Sequence, residues 1–99
     1  MSSHTPHSSV RVRRDGAEYD AVRFHGSTTQ MSAITAWIAG EDYRAPAIST
    51  RDIRNMELDG AAGPVTVRRG DWVLREVPGR AARVRAEDFA RDYEVVEPG

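Results

Sequence analysis

Residues 66–94 read TVRRGDWVLREVPGRAARVRAEDFARDYE, and each break in this block falls where local backbone chemistry asks for one. Gly70-Asp71 is a turn pair that feeds the apolar run 72–77. Pro78-Gly79 is a strong turn. Residues 81–86 then alternate as a strand, with Val84 inward and Arg83 and Arg85 together on the opposite face. Glu87 and Asp88 open a short helix, placed where carboxylates favour the positive end of the helix dipole. Phe89 and Tyr93 are four residues apart and share a face of it. Such a block specifies a small folded unit without specifying a reaction.

Upstream, Val10 and Val12 alternate with Arg11 and Arg13, the period of a half-buried strand. Asp15-Gly16 is a turn signal, and residues 19–25 form a second strand, so a hairpin is expected, with one kinked edge strand as the alternative. After Gly26, Ser27 and Gln30 make a capping box for a helix over residues 28–39. Met31, Ile34, Trp37 and Ile38 supply its apolar stripe, and Gly40 stands at the left-handed cap position. Residues 41–47 read as a loop containing Pro46, and 47–50 as the start of a short strand. Residues 55–58 enter a turn at Asp59-Gly60, and 61–64 form a loop. Val65 and Val67 mark a strand that the Gly70-Asp71 turn interrupts and residues 72–77 continue. Val95 and Val96 add a last short strand. Without regular strand–helix–strand alternation the expected class is α+β. It is a single domain over residues 10–97, with one amphipathic helix on one face of a mostly antiparallel sheet and a short C-terminal helix closing it. Phe24, Trp37, Trp72 and Phe89 are its expected large core anchors.

The chain has 99 residues, enough for one domain with one modest core. Residues 1–9, rich in Ser, His, Thr and Pro, read as a flexible tail and not as a secretory leader. No apolar run is long enough to span a membrane. Cysteine is absent, which excludes disulfide staples, thiolate zinc sites and cysteine nucleophiles and fits a reducing cytosol. All 14 basic residues are arginine. The lack of lysine closes Schiff-base chemistry and a phosphate-binding P-loop. Net charge is −1, so no global basic field invites nucleic acid. The charge is segregated, however: residues 68–85 carry a net of +4 and residues 86–99 a net of −4. These blocks can neutralise each other within one fold or between two copies.

One set of motifs resembles a family of small proteins encoded by tailed phages and prophages. Its pattern is an A-V-x-[FW] strand, a helix with a Trp, an I-x-T segment, then G-D-W-[IV]-[IL] and F-x-x-x-Y. The chain has Ala21-Val22-Arg23-Phe24, Trp37, Ile48-Ser49-Thr50, Gly70-Asp71-Trp72-Val73-Leu74, Gly79, and Phe89 followed by Tyr93. It departs at Arg80, Ala82 and Ala86, where the family commonly has an acidic residue, an aromatic and a proline. The family has no assigned activity. The resemblance implies a phage or prophage origin and, by analogy, an accessory factor in the host bacterial cytoplasm acting on host or phage proteins.

Candidate sites divide between structure and recognition. His4 and His7 fall in the tail, and His25 at a strand end has no Ser or Asp spacing that marks a triad. Asp71 reads as ordering its own turn. Glu87 and Asp88 read as dipole partners and not as a glycosidase pair. No cofactor or metal site is expected. The sharpest functional feature is arginine: Arg68, Arg75, Arg80, Arg83 and Arg85 are the candidate partner-binding residues. Arg83 and Arg85 are expected to share an outward strand face that Arg75 joins. The leading expectation is a non-enzymatic protein that binds another protein by electrostatic steering and a few desolvated arginine contacts. A nucleic-acid-binding module gripping phosphates through the same face is the alternative, although aromatics interleaved for base stacking are missing. Self-association through the oppositely charged segments is a further option.

Overall fold

The computed structural model describes residues 9–41, 50–60, 62–77 and 80–98, of which 76, 77, 80, 97 and 98 are described by backbone alone. The expected tail with His4 and His7, the loop around Pro46, the strand start at 47–49 and the Pro78-Gly79 turn lie outside the described residues. The protein is an α+β domain.

Strands β1 (Val10–Arg14) and β2 (Ala17–Arg23) pair antiparallel from Arg14↔Ala17 to Val10↔Ala21. Asp15 and Gly16 between them both have positive φ, at 51° and 81°. This is the requirement of a two-residue type I′ hairpin, and it rules out the kinked single strand.

Helix α1 (Thr28–Ala39) begins and ends where the caps place it. Ser27 Oγ accepts from the Gln30 N–H at 3.1 Å. The Gln30 side chain reaches further back than a simple capping box: its Oε1 accepts from the His25 N–H and its Nε2 donates to the Arg23 carbonyl, both at 2.6 Å. Residues 50–53 cross this end of the helix and satisfy more of its orphan donors. The Thr28 N–H donates to the Arg51 carbonyl at 2.9 Å, and the Thr29 N–H to Thr50 Oγ1 at 3.3 Å. At the other end Gly40 is left-handed (φ 75°), and the Glu41 and Gly40 amides return to the Ala36 and Trp37 carbonyls as a Schellman motif.

The chain then builds a separate two-stranded sheet, β3 (Asn55–Gly60) with β4 (Gly63–Arg68). This corrects the expectation of one strand run interrupted at Gly70-Asp71. Gly70 (φ 96°) donates its N–H to the Phe24 carbonyl at 2.8 Å, and Phe24 donates to the Asp71 carbonyl at 2.9 Å. The turn is anchored on the end of β2, so the chain changes sheets there. Strands β5 (Trp72–Val77) and β6 (Arg80–Val84), helix α2 (Ala86–Asp92) and strand β7 (Glu94–Pro98) complete the order. The larger sheet runs β6-β5-β2-β1-β7, with every neighbouring pair antiparallel.

Burial divides into two clusters, one on each face of this sheet. Val22, Val73 and Ala81 face Ile34, Trp37 and Ile38 of α1 and Met56, Leu58 and Val67 of the small hairpin. Val12, Ala21 and Leu74 face Phe89 of α2. Both faces are therefore covered, where one covered face was expected. Phe24, Trp37 and Phe89 are buried as anticipated; Trp72 is half-buried, packed at the margin of the second cluster. Among the described residues, no helix is long and apolar enough to cross a membrane.

Candidate interaction surface

Asp71 is the one charged side chain among the described residues that is buried, at 8% exposure. Its Oδ2 accepts from the Arg68 N–H at 3.0 Å and from Arg83 Nε at 2.7 Å. The carboxylate orders its own turn as the sequence indicated, and it also holds an arginine from the neighbouring strand. The second role was not legible, because it depends on the β5–β6 register that sets Val73 opposite Arg83.

That register also decides the fate of the expected arginine face. Arg83 shares a sheet face with Val73, the face toward α1 and the small hairpin, and its guanidinium is taken up by Asp71. Arg75 is half-buried, with its guanidinium carbon 5.9 Å from the centroid of the Trp37 ring, within cation–π range. Arg85 is not a strand residue. It is the N-cap of α2, with its Nη1 3.8 Å from Glu87 Oε1. Arg68 is exposed at the end of β4, on the small hairpin. Arg80 opens β6, and its side chain is outside the described residues. Alternation alone placed Arg83 and Arg85 together, but β6 ends at Val84 and the pair is split between a strand and a helix start.

A different charged array occupies the exposed part of the same sheet face, over β1, β2 and β7. Arg11 donates to Asp20 at 2.9 Å and to Glu18 at 3.2 Å, Arg13 donates to Glu18 at 3.2 Å, and Arg13 lies 3.8 Å from Glu94. These donors hold the Glu18 carboxyl below the usual carboxylate range, Arg11 contributing most. Asp20 and then Glu18 in turn raise the Arg11 guanidinium. The V-R-V-R alternation of β1 was visible in the sequence, but its acidic partners are set by the hairpin register.

On the opposite face α2 carries an aromatic run. Trp72 stacks on Phe89 with centroids 3.9 Å apart, Phe89 on Tyr93 at 5.3 Å, and Tyr19 meets Tyr93 edge-on at 6.4 Å. Beside it lies an open groove of about 440 Å³, lined in part by Arg14, Tyr19, Leu74, Ala82 and Tyr93. Arg14 sits 5.4 Å from the Tyr93 centroid, and its hydrogen bond to the Tyr93 hydroxyl raises the guanidinium further. In the acidic C-terminal block Arg91 bonds Asp88 at 3.0 Å and Asp92 at 2.9 Å and holds the Asp92 carboxyl low, while Glu87 and Glu94 face Arg85 and Arg13. His25 is exposed, and among the described residues no three His, Asp or Glu side chains gather around a common metal position.

The outermost strand, β7, differs from the rest of the sheet. Its consecutive residues Val95 and Val96 are 51% and 38% exposed, the large exposed apolar side chains among the described residues. The opposite edge, β6, is approached by the tip of the small hairpin: a Cβ on Gly60 would stand 3.5 Å from the Ala81 carbonyl oxygen. No family model, curated protein or solved structure matches the chain.

Proposed function

We propose that this protein is a binding module, not an enzyme, and that it acts by engaging another protein. The phage or prophage setting is the one that the motif resemblance implies, with the host cytoplasm as the place of action. The observation that carries the proposal is the β7 edge, where, among the described residues, two adjacent exposed valines lie beside Glu94 on the last strand of the sheet. A sheet edge of this kind is a template for another chain. The arginine positions support protein recognition over a phosphate grip. Arg83 and Arg85 have carboxylate partners, Arg75 covers an indole, and Arg68 stands apart on the small hairpin. The exposed cations that remain steer encounter with a complementary surface.

The test is affinity capture of a partner from bacterial lysate on the immobilised full chain, followed by binding to the purified partner at several salt concentrations. A saturable, stoichiometric protein complex supports the proposal. Failure to recover any protein, together with tight binding of duplex or single-stranded DNA that falls steeply with salt, overturns it in favour of nucleic acid.

A further inference from the structure

We infer that the outer edge of β7 accepts an extended segment of a partner protein whose residues alternate apolar with basic, added antiparallel as a sixth strand of the larger sheet. This rests on the binding-module reading above and names the chemistry of what is bound. In the described residues β7 is the last strand of the sheet, so one row of its backbone donors and acceptors has no strand beside it.

The inner edge of β7 already shows which strand it selects. There β1, reading Val-Arg-Val-Arg-Arg, runs antiparallel to it, with Arg13 opposite Glu94, Val12 opposite Val95, Arg11 opposite Glu97 and Val10 opposite Pro98. Arg13 and Glu94 approach to 3.8 Å, yet the Glu94 side chain remains 73% exposed and has room for a second cation. Side chains of neighbouring strands in register stand on the same face, so a strand on the outer edge meets the same residues from the other side. An arginine beside Glu94 and an apolar residue beside Val95 repeat the contacts that β1 makes. Val96 sits within the register shift of the β1–β7 pairing and has no partner on β1. Its exposed side chain is thus free to be covered by the added strand.

Charge also separates this occupant from a second copy of the chain. Two β7 strands paired about a two-fold axis between Val95 and Val96 would set Glu94 opposite Glu97 of the other copy, and like charges directly opposite are destabilising. The sheet's other edge, β6, has the hairpin tip against it. Main-chain bonds supply affinity in such strand addition, and alternate side chains supply specificity.

The test uses the full-length chain and a fluorescein-labelled, end-blocked six-residue peptide of alternating Val and Arg. Controls are a peptide of the same composition with its arginines in one block and an alternating Val/Glu peptide. Anisotropy at low salt should show binding of the alternating Val/Arg peptide above both controls. Arg13↔Glu94 and Arg11↔Glu97 are the hydrogen-bonded pairs, so the Val95 N–H faces outward; Val95→Pro should weaken binding more than tenfold by removing that donor, and Glu94→Arg about two- to fivefold by reversing the charge. Circular dichroism and thermal melting report whether each variant is folded; Glu94→Arg, at an exposed position, keeps the test decisive if Val95→Pro does not fold. Amide hydrogen exchange should show added protection on β7 with β1 protection unchanged, which excludes replacement of β1 by the peptide. Equal binding of the blocked peptide, equal binding by folded variants, or a concentration-dependent dimer that shields β7 overturns the inference. A lysate partner bound equally well by both variants sinks this site while leaving the binding-module reading intact; no partner and no peptide binding sinks both.

Discussion

Removing the Asp71 carboxylate should cost this fold more than any surface charge would. In Asp71→Ala the Arg68 N–H loses a charged acceptor at 3.0 Å inside a turn, and Arg83 loses its 2.7 Å partner. A hydrogen bond to a charged group contributes about 1.5–3 kcal/mol, the value that applies to the backbone donor. The Arg83 contact is worth less, because its side chain is 30% exposed and water screens it, so about 0.5–1 kcal/mol is appropriate. The two together give about 2–4 kcal/mol, a large share of the roughly 5–15 kcal/mol typical of a domain. For a domain of this size that corresponds to a melting temperature lower by about 8–30 °C. Urea unfolding of the wild type, Asp71→Ala, Arg83→Met and the double variant measures it. Arg83→Met should cost about 1 kcal/mol, and the double variant should fall short of additivity by about 0.5–1 kcal/mol, because the two single changes remove one shared contact. An Asp71→Ala midpoint within about 0.5 kcal/mol of wild type would refute the assignment of Asp71 as the lock of this turn.

Three further outcomes follow from local geometry. Gly26 has φ of 92°, and a Cβ there would stand 2.6 Å from the Ile53 carbonyl oxygen, so Gly26→Ala should destabilise by about 2 kcal/mol or more in the same assay. Phe89→Ala removes the ring stacked between Trp72 and Tyr93 and should cost about 3–5 kcal/mol, with loss of exchange protection in α2 before α1. Glu18 and Asp92 have carboxyls held low by arginine donors, so their stabilising contribution is complete above the ordinary carboxylate pKa near pH 4 and is lost as pH falls through the lower folded values. Melting temperature should therefore drop on acidification below about pH 4, and Glu18→Gln with Asp92→Asn should flatten that drop.

Local signals were legible wherever a single residue decides a backbone conformation. Ser27 and Gly40 fixed the ends of α1, and Asp15-Gly16 fixed the first hairpin, because caps and type I′ turns are short-range chemistry. The division into two sheets was not legible. It depends on Gly70 and Asp71 bonding to Phe24, a contact between residues far apart in the chain. The same holds for the arginines. Alternation says that Arg83 and Val84 point to opposite faces, but with α1 on one face and α2 on the other neither direction means solvent. The β7 edge was not legible for a related reason. Val95 and Val96 announce a strand, but only the pairing with β1 reveals that it is the outermost one.

On this proposal recognition runs through the edge strand, while Arg75 and Arg83 serve the fold. A two-dimensional amide NMR titration of isotope-labelled protein with the alternating Val/Arg peptide tests it residue by residue. Shifts should concentrate at Glu94, Val95 and Val96 and at Arg13 and Val12 opposite the first two, with Arg75, Arg83 and Arg85 unmoved. Shifts centred on those three arginines, or a spectrum unchanged at saturating peptide, would contradict it.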